Sequence, residues 1–193
     1  MWALGTLVDR RVDLGERSSV DAIMGAGAES IARLSTRSEL GHISKSLWGK
    51  AKAGQQSHDS ISRTLATAVA ERSSDAKPQE LSNTLWALSE LGWYVAALYS
   101  QLVEGVLLKI SDSAPEAAGQ DFSNTMFSCA LSRHFDRSMD ALAERGSQQS
   151  LHLWTVQALS NVLYAWAILS ATAGGETPSM RKLAQHLFCE VNR

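Results

Sequence analysis

Apolar residues recur along the chain at helical spacing, in pairs of segments that polar stretches separate. In the segment 78–92, Leu81, Leu85 and Leu88 fall at i, i+4 and i+7 and form one apolar stripe of a helix. The segment that follows has the same kind of spacing, and its apolar residues are Val95, Leu98, Leu102, Val106 and Ile110. Because runs of β-branched and aromatic residues are few, this pattern predicts an all-α chain built from helix pairs.

The first helix of each predicted pair carries an aromatic residue in a recurring frame. These residues are Trp2, Trp48, Trp86, Phe127 and Tyr164, and their successive spacings are 46, 38, 41 and 37 positions. A period near this value is that of a two-helix repeat. The long first interval indicates an inserted loop over 9–17. We therefore predict a right-handed α-solenoid, or superhelix, of helix-turn-helix repeats of about 38 residues.

The predicted array covers residues 1–193 as a single domain. Its units are a partial one over 1–35 and complete ones over 36–75, 76–114, 115–152 and 153–193. Pro78 near the start of one first helix and Gly92 at its end match the preference for proline at helix starts and glycine at helix ends. Trp86 is expected to wedge against the neighbouring unit. The partial first unit and the apolar residues near the last one indicate a fragment of a longer array.

Beside its apolar stripe, each first helix carries a polar one, because residues four apart share a helical face. In the best-matched copy this stripe is Gln79, Asn83 and the small residue Ala87. The candidate binding residues are Gln79, Asn83, Gln120, Asn124, Gln157, Asn161, Lys45 and Lys52. The small residue would let a backbone or base approach, and Lys45, Lys50, Lys52 and Arg63 would contact phosphates.

Amide side chains suit the recognition of single-stranded RNA, since each offers a donor and an acceptor to a base edge. Helical repeats can recognise about one base per unit. The alternative is structural: the Ser-Asn pairs would hydrogen-bond between adjacent repeats or face water. From the residues alone, both interpretations stay open.

Charge, composition and missing motifs argue against several classes of function. The formal net charge of −2 argues against a strongly cationic surface, although a solenoid can separate its charges between faces. No stretch approaches the roughly 20 apolar residues of a membrane span, and phosphate-binding, zinc-protease and acyl-hydrolase motifs are missing from the sequence. His134 and Asp136 are expected to be surface residues pointing in different directions on a helix. We expect no catalytic residue, no metal and no cofactor, and we do not expect the chain to be an enzyme.

At Pro78–Gly92 the sequence resembles the octotricopeptide repeat family, whose units contain a Leu-Ala/Ser-Asn-x-Leu-Trp-Ala-x-x-x-Leu-Gly core. The match is specific around Trp86, fair around Phe127 and Tyr164, and weak around Trp48. The resemblance implies an organellar protein that binds single-stranded RNA, in the chloroplast or alternatively the mitochondrion. It further implies a role in RNA stabilisation, processing, splicing or translation, with other proteins of an RNA-processing complex as additional partners.

A second function from a different class fits the same architecture. A solenoid can scaffold a protein assembly through its concave face without binding RNA. RNA binding should weaken with salt and lose base preference when Asn83 or Asn124 is replaced by alanine, whereas a scaffold should show neither response.

Overall fold

The computed structural model describes residues 39–54, 60–110, 113–172 and 177–192, with the short helical stretches 22–23, 25–27 and 29–30. Within these ranges the chain forms helices and no strand, which confirms the predicted all-α class. The α-helices described from residue 39 onward are α1 (Leu40–Lys52), α2 (Ser60–Glu71), α3 (Pro78–Glu90), α4 (Ala96–Lys109), α5 (Pro115–Leu131), α6 (Arg137–Gly146), α7 (Val156–Thr172) and α8 (Pro178–Val191). A short 3-10 helix at Leu151–Leu153 lies between α6 and α7.

These helices lie in two layers. The first helices α1, α3, α5 and α7 pack side by side, each against the next, and the second helices α2, α4, α6 and α8 do the same. Each first helix also contacts the second helix of its own pair. This arrangement places equivalent positions of successive first helices opposite one another, so that a site can form between two helices rather than on one.

The hydrophobic core lies between the two layers. Leu81, Leu85 and Leu88 of α3 are fully buried, as their spacing predicted. Gly105 lets α4 approach α3 closely, because a Cβ atom at this position would lie 2.9 Å from Cδ1 of Leu81. Burial of this leucine stripe stabilises the fold by roughly 1.5–3 kcal/mol for each fully buried side chain.

Proline and glycine mark the helix ends where the sequence predicted them. Pro78 occupies the first turn of α3, and Gly92 follows its C-terminus with φ +68. The Gly92 N–H donates to the Ser89 carbonyl at 3.1 Å and the Trp93 N–H to the Leu88 carbonyl at 3.0 Å. These two bonds form a Schellman motif, which satisfies carbonyls that the helix leaves unpaired.

Four of the predicted aromatic residues lie in the described ranges, each on a first helix: Trp48 in α1, Trp86 in α3, Phe127 in α5 and Tyr164 in α7. Trp2 and the predicted loop over 9–17 lie outside the described residues, as does most of the partial unit 1–35. The superhelix of repeats, its hand and the unit boundaries stay predictions. In the described ranges, none of the helices is both long and apolar enough to cross a membrane.

Candidate nucleic-acid interface

The polar stripe keeps the same order of exposure along α3, α5 and α7. The first position is exposed in Gln79, Gln120 and Gln157, the second is half-buried in Asn83, Asn124 and Asn161, and the third is buried in Ala87, Ser128 and Ala165. The small residues at the third position therefore pack inside the protein. The expectation that they let a base approach is wrong, because their side chains have no exposed surface.

A groove of about 510 Å³ lies between α5 and α7. Its lining contains four of the predicted binding residues among small and hydroxyl side chains: Ala117, Gln120, Ser123, Asn124, Thr155, Gln157, Ala158 and Asn161. The Gln157 amide nitrogen donates to Oδ1 of Asn161 at 2.8 Å. In the described part of the chain, the side chains of Gln120 and Asn124 form no hydrogen bond with protein. The groove thus offers donors and acceptors without a charged group in its lining.

A second groove, of about 390 Å³, lies between α1 and α3. Its lining brings together Gly41, Ser44, Lys45, Trp48, Lys77, Gln79, Glu80 and Asn83. It contains three predicted residues, Lys45, Gln79 and Asn83, and two that were not predicted as site residues, Lys77 and Glu80. Both lie within two residues of Gln79 in the sequence, yet only the packing of α3 against α1 brings them to the same groove as Lys45.

Glu80 has a fixed place in this second groove. Its Oε2 accepts a hydrogen bond of 2.8 Å from the Lys77 N–H, which caps the start of α3. Its Oε1 lies 3.0 Å from where a Cβ atom of residue 41 would stand, so the carboxylate fills space that Gly41 leaves open. The groove therefore contains a positioned acceptor together with Lys45 and Lys77.

A buried hydrogen-bonded pair, Ser82 and Asp121, joins α3 to α5. Asp121 is only 5% exposed, and the Ser82 hydroxyl donates to its Oδ1 at 2.9 Å. Burial raises the pKa of Asp121 to about 6, although the bond from Ser82 lowers it. This contact between α3 and α5 is of the structural kind that the sequence leaves open for the serine next to the asparagine. The serine and the asparagine of one stripe thus have separate roles.

Asp121→Asn should raise the free energy of unfolding by about 1–3 kcal/mol at pH 8 and change it little at pH 4. The folded-state pKa lies above the unfolded value, so the stability that Asp121 contributes is present below pH 4 and is lost as the pH rises through about 6. Urea denaturation at both pH values measures the effect. Asp75→Asn is the matched control, since Asp75 accepts from Ser74 at the surface. Equal stabilisation at both pH values would contradict the assignment.

Aromatic side chains connect the first helices in pairs. The ring centroids of Trp48 and Trp86 lie 6.1 Å apart, and those of Phe127 and Tyr164 lie 5.4 Å apart. Trp86 thus contacts an aromatic residue of the preceding first helix, and its role as a wedge between repeat units stays a prediction. The Lys52 ammonium lies 5.5 Å from the Trp48 ring centroid and 5.0 Å from that of Trp86. Lys52 is therefore positioned on the aromatic pair, one helical turn from the groove that contains Lys45.

Two residues that were expected to contact phosphates, Lys50 and Arg63, do not line either groove. Lys50 is only 1% exposed and cannot reach a phosphate from its buried position, so that prediction is wrong. Arg63 is exposed on α2, in the layer of second helices, whereas Lys45 lies on α1. The helical period places Lys50 on the inner face of α1, which the residue type alone does not indicate.

The segment 132–136 is a turn, and this corrects the expectation that His134 and Asp136 are surface residues on a helix. His134 is 3% exposed, and its Nε2 lies 3.4 Å from Oδ2 of Asp136. Tyr94 Oη contacts its Nδ1 at 2.9 Å. Burial lowers the pKa of His134 and outweighs the opposing influence of Asp136. The two side chains thus face each other in the junction between α4, α5 and α6.

Asp136 caps α6 from this junction. Its Oδ1 accepts from the backbone N–H groups of Ser138 at 2.9 Å and Met139 at 3.1 Å, and its Oδ2 accepts from the Ser100 hydroxyl. Burial opposes ionisation of Asp136, but these hydrogen bonds prevail and lower its pKa. The cluster therefore joins α4 to the start of α6.

Comparison of the chain with protein-family models and with curated proteins finds no match. The resemblance to octotricopeptide repeat proteins consequently stays a prediction from the residues around Trp86. The candidate interface rests on the geometry of the two grooves.

Proposed function

We propose that this chain binds single-stranded RNA sequence-selectively along its layer of first helices and acts by occupying the transcript. The observation that carries the proposal is the groove between α5 and α7, where Gln120, Asn124, Gln157 and Asn161 converge from two repeats. An amide can donate to and accept from the same base edge, which makes such a set chemically suited to base recognition.

The groove between α1 and α3 adds side chains that suit the phosphate and the flat face of a base. Lys45 and Lys77 can neutralise phosphates, while the half-buried Trp48 presents apolar surface beside them. The two grooves lie on the same layer of helices, so one extended strand could follow both. Base recognition and phosphate contact are thus supplied by different repeats.

The finer architecture and the biological setting belong to the same proposal. We propose a right-handed superhelix, in which successive first helices line one continuous surface. From the resemblance, the protein would act in the chloroplast, or alternatively in the mitochondrion, on the stabilisation, processing, splicing or translation of transcripts. Other proteins of an RNA-processing complex would be further partners.

Binding of the chain to a random single-stranded RNA pool, measured by filter binding at several salt concentrations, tests the proposal. With phosphate contacts from Lys45 and Lys77 alone, the slope of log K against log salt should be about −1.4, or roughly sevenfold weaker binding between about 50 and 200 mM salt. The double variant Lys45→Ala, Lys77→Ala should bring this slope close to zero.

The result that would overturn the proposal is equally direct. If wild-type protein does not retain the RNA pool at about 50 mM salt, the proposed RNA binding is wrong and the protein-scaffold alternative is the one that stays open. Binding with no change between the wild type and the double lysine variant would contradict the placement of the RNA in the α1/α3 groove.

A further inference from the structure

At each interface between two neighbouring first helices, the equivalent helical position carries a different side chain. This position is Glu80 in α3, Asp121 in α5 and Ala158 in α7, each one residue after the first amide of its stripe. Glu80 lines the α1/α3 groove, Asp121 is buried against Ser82, and Ala158 lines the α5/α7 groove. The three steps therefore differ in chemistry, although they are built on the same frame.

The carboxylate of Glu80 is held in place rather than free to rotate. Its Oε2 is bonded to the Lys77 N–H at 2.8 Å, and its Oε1 occupies the space above Gly41. A carboxylate has about four acceptor positions in all, so one hydrogen bond to the backbone leaves both oxygens able to accept another. Glu80 can thus act as a bidentate acceptor within the groove.

We infer that the α1/α3 groove selects guanine, through Glu80, and this inference rests on the proposed RNA-binding function. Guanine presents two adjacent N–H donors, N1–H and N2–H, in the fork arrangement that a carboxylate accepts from arginine. On the other three bases, the group next to the Watson–Crick N–H donor is an acceptor. That acceptor would face the second oxygen of the Glu80 carboxylate and repel it.

The neighbours of Glu80 complement the rest of the guanine edge. Lys45 and Asn83 line the same groove and can donate to the O6 acceptor, which lies beside N1–H. Trp48 supplies a half-buried aromatic ring at the groove wall, against which a base can pack. The α5/α7 groove has Ala158 instead of a carboxylate, so guanine selection belongs to the α1/α3 step alone.

Selection from a random single-stranded RNA pool, followed by inosine substitution, tests the inference. Wild-type protein should enrich RNAs with guanine at one fixed position. Replacing that guanosine with inosine removes the N2 amino group alone, and should weaken binding about tenfold because one bond of a bidentate pair is lost. Glu80→Gln keeps the α3 cap, since glutamine serves at that position too, and should bind both RNAs equally.

Glu104→Gln is the matched control, because Glu104 is exposed on α4 in the layer of second helices, and it should keep the wild-type preference. If Glu80→Gln still discriminates guanosine from inosine, or if the wild type does not, guanine selection by Glu80 is wrong while RNA binding stands. If the wild type binds no RNA in the pool, the proposed function itself fails.

Discussion

Phe122→Ala should lower the free energy of unfolding by about 3–5 kcal/mol, the cost of emptying a phenylalanine site in a packed core. Phe122 is fully buried in α5, with its ring centroid 5.2 Å from that of Trp154. A Cβ atom at Gly146 would lie 2.3 Å from Cζ of Phe122, so the ring packs directly on the end of α6. Urea denaturation followed by circular dichroism measures the loss.

Phe127→Ala is the matched control, because it removes the same side chain from the same helix. Phe127 is half-buried and packs against Tyr164, which is 47% exposed, so its loss should cost much less than that of Phe122. Comparable losses for the two variants would contradict the assignment of Phe122 as the residue that joins α5, α6 and the segment before α7.

Much of the fold could be predicted because its signals are local. The spacing of Leu81, Leu85 and Leu88 is set by the helical period, and it places these side chains in the core irrespective of neighbours. Pro78 and Gly92 act through backbone preferences at helix ends, which operate within a few residues. Local physics of this kind explains why the first helices match the prediction so well.

The second helices were less predictable, because their starts depend on turns. Val95 was placed on a helix by apolar spacing, but α4 begins at Ala96. The start of α6 depends on Asp136, whose carboxylate caps it and also contacts Ser100 of α4. A contact between residues 36 positions apart is not visible in a helical period.

The candidate site, like the fold, could be predicted from the sequence only in part. A stripe on a single helix predicted that Gln120 and Asn124 lie together, and both line the α5/α7 groove. It could not predict that Glu80 would face Gly41, or that Asp121 would be buried against Ser82, because these pairs form across helices. Tertiary packing thus decides which acidic residue is available to a ligand and which is structural.

The double variant Asn124→Ala, Asn161→Ala should weaken binding of the preferred RNA about 100-fold, if each amide contributes about 1.4 kcal/mol, near the lower end of the roughly 1–3 kcal/mol of a typical base contact. Neither substitution removes a charge, so the salt slope should stay that of the wild type. Filter binding with the selected RNA and with a scrambled RNA measures both quantities. The selected RNA should lose its advantage over the scrambled one.

Gln185→Ala is the control for this experiment, because Gln185 is an exposed amide on α8, away from the first helices. It should bind like the wild type. A weaker but still selective Asn124/Asn161 variant would indicate that the α5/α7 groove holds the RNA backbone, since loss of a backbone contact weakens all sequences alike. A drop in the salt slope would indicate that the substitutions moved the lysines of the α1/α3 groove. Loss of selectivity at an unchanged slope therefore separates base recognition from phosphate binding within one set of measurements.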